Sequence, residues 1–179
     1  MVKNKIVALS LLLSLATSLA LPSLAPGARA NAAGAPVTAR SSSRAAFLDA
    51  QRFLGDMGLG YYAYDHYVLK RYNAGSFKPN AENRLFTLGK AGVALSFAYD
   101  RFRAAYRRTT SGHDQKLSKL APSLNTLLYQ TNVEARRLKA GSYSDADLRS
   151  YNKMINDFRQ RSKGIGYDII DIHVAIPGA

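Results

Sequence analysis

From Phe47 to Phe158 the apolar side chains of this chain recur in steps of three and four, a period that leaves few folds open. Leu85, Leu88, Gly92, Leu95, Tyr99, Phe102 and Tyr106 keep it without a miss, so they share one face of a helix of 3.6 residues per turn. Phe47, Ala50, Leu54, Met57, Tyr61, Tyr64, Val68 and Tyr72 form a like stripe before it. Leu117, Leu120, Leu124, Leu127, Thr131, Ala135 and Leu138 form one after it, and Leu148, Tyr151, Ile155 and Phe158 a fourth.

The punctuation agrees with four segments. Ser41, Ser42 and Ser43 offer N-caps to the first, and Asn73-Ala74-Gly75 supplies residues that tolerate the left-handed turn ending a helix. Pro79-Asn80 restarts the chain, and Thr109 to Gly112 closes the second helix. Pro122 marks the first turn of the third or a kink in it, and Gly141 ends it. Ser144 and Asp147 stand three apart, as in a capping box, ahead of a fourth helix that runs to Gly164. Four amphipathic helices with short connections predict an all-α fold, an antiparallel up-down-up-down four-helix bundle over residues 44–164. Steps averaging about 3.5 predict shallow left-handed crossings.

The two ends of the chain read differently. Lys3 and Lys5 precede an apolar run from Ile6 to Leu21, and Ala28-Arg29-Ala30 places small residues where a signal peptidase reads. Residues 1–30 are expected to be a cleaved signal peptide and the working protein to be secreted, extracellular or periplasmic, with possible association to the cell envelope. Pro22 and the serines within the run argue against a retained span. Residues 31–43 are mostly Ala, Gly, Pro, Ser and Thr, with Asn31, Val37 and one Arg, a composition expected to form a flexible leader. The chain has no Cys, hence no lipid-modified cysteine and no disulfide, so one domain must hold together through its core. At the other end, Ile170, Ile172, Val174 and Ile176 alternate with polar or small residues, which is strand periodicity. Residues 165–179 are therefore expected to be an extended C-terminal tail. It either lies in a groove between helices or adds a strand to a protein partner through residues 169–176.

No catalytic or cofactor motif stands out. His66, His113 and His173 lack ligand spacing, and no Glu-x-x-His step is present for a metal bundle. Met57 and Met154 are core fillers without an opposed inward histidine for haem. No Ser sits in a nucleophile elbow, and Asp145 with Arg149 and Asp157 with Arg161 read as surface ion pairs. Gly55, Gly58 and Gly60 follow no strand, so they fail the context of a phosphate loop. If the first two helices turn near residue 77, Gly92 faces position 62. The alternative reading is thus a small-ligand carrier with an aromatic pocket at Tyr61, Tyr64, Leu88 and Gly92.

Charge is the remaining signal. The chain carries a formal +13, and Lys3, Lys5 and Arg29 are too few for removal of a signal peptide to erase the excess. In the bundle, Arg44, Arg101, Arg103, Arg107, Arg108, Lys116, Lys119, Arg159, Arg161 and Lys163 are expected to gather at one end. Part of that gathering offsets helix dipoles; the rest predicts binding to an anionic cell-envelope polymer or lipid surface. Nucleic acid is a weaker special case, since no DNA-binding fold signature is present. The expected function is non-catalytic, with no cofactor.

Overall fold

The structure is a computed structural model that describes residues 37–179, with their side chains from Ser42 onward. The signal peptide and the first part of the leader read from the sequence, residues 1–36, lie outside the described residues. The fold is all-helical: α1 (Val37–Tyr64), a π-helical turn (Asp65–Leu69), α2 (Lys70–Asn73), α3 (Arg84–Ser111), α4 (Gln115–Ser118), α5 (Ala121–Lys139) and α6 (Asp145–Gly164). Helix α1 begins at Val37, inside the stretch whose composition suggests a leader, and it runs unbroken through Gly55, Gly58 and Gly60.

Local chemistry accounts for the boundaries. Gly75 and Gly141 take φ of 75° and 68°. In each case the following N–H reaches back five residues, Ser76 to the Arg71 carbonyl and Ser142 to that of Arg137, a Schellman stop that glycine makes cheap. Ser144 Oγ accepts the Asp147 N–H at 3.1 Å and donates to the Asp147 carboxylate at 2.6 Å, which starts α6 with a side-chain N-cap. Pro122 sits in the first turn of α5, where it removes no helical bond. Asp114 accepts the Lys116 and Leu117 N–H groups, so a separate short α4 precedes α5 where the periodicity suggests one continuous helix.

Packing follows side-chain size. Helices α1 and α3 run close together, as do α3 and α5, because small residues line those contacts: Ala63 and Gly60 on α1, and Ala91, Gly92, Ala94, Ala98 and Ala105 on α3, are all buried. A Cβ on Gly60 would stand 2.3 Å from the Phe102 ring, and one on Gly92 would stand 2.5 Å from the Lys139 side chain of α5. The α1–α3 turn is therefore centred near residue 81, since Gly60 meets Phe102 and Asp49 meets His113. The expected register near 77 is corrected, because α2 carries helical structure to Asn73 and a ten-residue connection follows before Arg84.

Helix α6 approaches through large rings. Tyr151 stands edge-on to Tyr64 of α1 at 5.1 Å and shares a 2.8 Å hydrogen bond with the Thr131 hydroxyl of α5. The Arg159 guanidinium lies 4.5 Å over the Tyr61 ring. Residues 167–176 have no regular secondary structure, so the strand periodicity does not yield a strand. This segment crosses α1 at Gly58, whose carbonyl accepts the Ile172 N–H at 3.1 Å and where a Cβ would collide with the Ile170 carbonyl. Ile169 and Ile176 are buried, whereas Ile170 is 75% exposed. The inward set is thus not the alternating set, because an irregular chain lying across a helix presents side chains to it unevenly.

Candidate anion-binding pole

The ten cations expected at one end divide into two groups. Arg101 faces α1 and pairs with Asp56 at 3.6 Å. Arg108 also turns toward α1: its Nε is buried, and its charge bears on both Asp49 and Asp56. Arg159 is held between the Tyr61 ring and the Asp171 carboxylate, and Lys163 stands 3.9 Å from Asp168. The three arginines act largely within the fold, whereas Lys163 and Asp168 form a loose pair of exposed side chains. Arg44, Arg103, Arg107, Lys116, Lys119 and Arg161 are exposed and form no ion pair among the described residues.

The acids near this pole are mostly consumed by structure. Asp49 accepts the His113 backbone N–H at 2.9 Å and lies 3.1 Å from its Nδ1. That backbone hydrogen bond, helped by the ring and by Arg108, holds its carboxyl below the ordinary range. Burial pushes Asp56 up, against the pull of Arg101 and Arg108. Asp114 caps α4 and accepts the Tyr167 hydroxyl, which burial pushes up to about 12. Asp157 pairs with Lys153 rather than with Arg161. The expected Asp157–Arg161 pair is therefore corrected: Lys153 lies one turn N-terminal on the same face and takes the carboxylate, which leaves Arg161 free. Asp100 is the exposed acid of this region with no such engagement.

The four residues of the alternative pocket are not brought together as expected. Tyr61, Tyr64 and Leu88 are buried in the core, with Tyr61 edge-on to Phe102 at 5.5 Å, while Gly92 faces α5. The Tyr61 hydroxyl is buried without a hydrogen-bond partner among the described residues, and burial pushes its pKa and that of Tyr64 upward. What accepts an aromatic ring is Gly60, not Gly92, as the shifted register requires.

Two arrangements are not legible in the sequence. Tyr62 stacks with His66 at 5.2 Å and with His173 at 4.7 Å, which fastens the C-terminal segment beside the π-helical turn. No cluster of three or more potential metal ligands occurs among the described residues. The second arrangement is a further set of cations at the opposite end, where the α1–α3 and α5–α6 connections meet. Arg71, Lys78, Arg136 and Lys139 are exposed there and Lys90 is half-buried. None forms an ion pair among the described residues. Periodicity could have found it only with the correct turn register.

No protein-family model, curated protein or solved structure matches the chain. Among the described residues, no helix is long and apolar enough to cross a membrane.

Proposed function

We propose that this chain is an exported, non-catalytic protein that holds an anionic envelope polymer or surface on a rigid helical scaffold. In this reading the helices α1, α3, α5 and α6 form an antiparallel up-down-up-down four-helix bundle, and residues 165–179 form an extended tail lying over it. The observation that carries the reading is the division of charge at the α3–α4 end. Its acids are mostly spent on caps and internal pairs, while Arg44, Arg103, Arg107, Lys116, Lys119 and Arg161 stay outward and uncompensated. Binding by such cations is driven by release of counterions from the polymer and weakens steeply with salt.

The test is retention of the purified chain on immobilised heparin across a salt series, beside a variant carrying Arg103→Gln, Arg107→Gln, Lys116→Gln, Lys119→Gln and Arg161→Gln. The variant should elute at lower salt. By the same counterion logic, its log–log salt slope should shrink by roughly 0.7 to 0.9 for each of these cations that pairs with an anionic group of the polymer. Retention indifferent to salt, or identical for the variant, would refute the proposal.

A further inference from the structure

The most exposed pair of neighbouring large apolar side chains, Leu85 at 72% and Phe86 at 67%, stands at the end opposite the arginine pole. Both occupy the first turn of α3, directly after Asn83, whose left-handed φ of 53° turns the chain sharply and which gives the helix no side-chain cap. The periodicity puts Leu85 at the start of the buried stripe of α3. It lies instead beyond the core, touching the α5–α6 turn at Gly141. Arg84 fixes that corner by donating to the carbonyls of Phe77 and Gly141.

One cation touches the pair and others lie on the same end of the molecule. Lys90 Nζ lies 4.8 Å over the Phe86 ring. A groove of about 410 Å³ beside Phe86 is lined in part by Arg71 and Lys90, and also by Glu82 and the C-terminal Ala179. Lys78 comes from the same connection, and Lys139 from the end of α5 where it meets Gly92. The uncapped first turn of α3 adds the positive end of its dipole.

We infer that this tip docks on an anionic lipid surface, with Leu85 and Phe86 entering the boundary between headgroups and acyl chains while Arg71, Lys78, Lys90 and Lys139 meet lipid phosphates. Two facts select that occupant. A hydrophilic polyanion gives no return for two exposed apolar side chains, whereas a bilayer takes up apolar tips and attracts the cations at the same end. A second copy of this chain would satisfy the apolar pair but brings the same cations to the same place, and like charges oppose that pairing. The inference concerns a different end of the molecule from the polymer-binding proposal, so either can fail alone.

The experiment is co-sedimentation of the purified chain with phosphatidylglycerol-rich vesicles and with pure phosphatidylcholine vesicles. It compares wild type, Leu85→Ser/Phe86→Ser, and a four-site variant carrying Arg71→Gln, Lys78→Gln, Lys90→Gln and Lys139→Gln. Both apolar positions are exposed, so the fold should survive, as checked by circular dichroism. The expected result is partitioning that favours phosphatidylglycerol and falls on the order of tenfold in Leu85→Ser/Phe86→Ser, with heparin retention unchanged. The four-site variant should lose the preference for anionic vesicles. Unchanged partitioning of Leu85→Ser/Phe86→Ser overturns the inference. So does loss of vesicle binding only in the variant of the arginine pole, or a concentration-dependent dimer that these two substitutions abolish.

Discussion

The contact between α1 and α3 and the contact between α6 and its neighbours solve the same problem with opposite materials. Along the first, glycine and alanine let two backbones approach until Phe102 rests against bare Gly60. Along the second, tyrosines hold the helices apart and hydroxyl, guanidinium and carboxylate groups are drawn inside, among them fully buried Glu134 and Thr131. The close contact has no slack in volume, whereas the wide one depends on which of its buried polar groups find partners. That difference predicts where each region breaks.

Volume should dominate the first. Phe102→Ala removes a fully buried ring and is expected to cost about 3–5 kcal/mol. Gly60→Ala places a methyl 2.3 Å from that ring, an overpacking of about 1–3 kcal/mol. In the Phe102→Ala background the obstruction is gone, and the same substitution should become stabilising by about 1 kcal/mol through helix propensity. Urea unfolding of the four-member cycle checks the reversal of sign. Additive costs would mean that the two helices do not touch at this register.

This register is the part of the fold least legible beforehand. The stripes of α4, α5 and α6 can be read directly, although not the break between the first two, since Leu117, Leu120, Leu124, Leu127, Thr131, Ala135 and Leu138, then Leu148, Tyr151, Ile155 and Phe158, are all buried. On α3 a reading of large residues alone misses half the inward face, because Ala91, Ala94, Ala98 and Ala105 make the close approach and alanine carries little periodic signal. The π-helical turn at Asp65–Leu69 has no compositional mark either. Spacing alone names ten cations without separating those that face outward from those that do not. It does not foresee that Arg101, Arg108 and Arg159 turn inward to acids contributed by distant segments, nor that a second set of cations shares the end of the molecule with Leu85 and Phe86.

The two regions also hold acids that answer pH in opposite senses. Asp49, between α1 and α3, has a lowered pKa because His113 donates to its carboxylate. Its contribution is present above the ordinary carboxyl value near 3.8 and is lost as pH falls through the lowered folded value. Glu134, on α5, is raised by burial against the pull of Arg137 and Gln130. Its contribution is complete below about 4.5 and is lost as pH rises through the raised folded value. Asp49→Asn should therefore lose about 1.5 kcal/mol at neutral pH and converge on wild type in acid. Glu134→Gln should gain on wild type as pH rises, since Arg137 keeps Asp147 at 2.9 Å. Unfolding free energies from roughly pH 3 to 8 decide both; parallel curves for all three proteins would remove the distinction.

The smallest effects test hydrogen bonding in the wide contact most directly, because they compare two buried tyrosines of similar burial and different company. The Tyr151 hydroxyl meets Thr131 Oγ1, which itself donates to the Leu127 carbonyl at 2.6 Å. Tyr151→Phe deletes that bond and should cost about 1 kcal/mol. The Tyr61 hydroxyl is buried with no partner among the described residues, so Tyr61→Phe keeps the ring under Arg159 and against Phe102 while removing a polar group that lost its water on folding. The variant is expected to match wild type or exceed it by about 1 kcal/mol in thermal or urea unfolding. A clear loss on Tyr61→Phe would mean that its hydroxyl is satisfied, with a bound molecule or ordered water beneath the C-terminal segment as the donor or acceptor it uses.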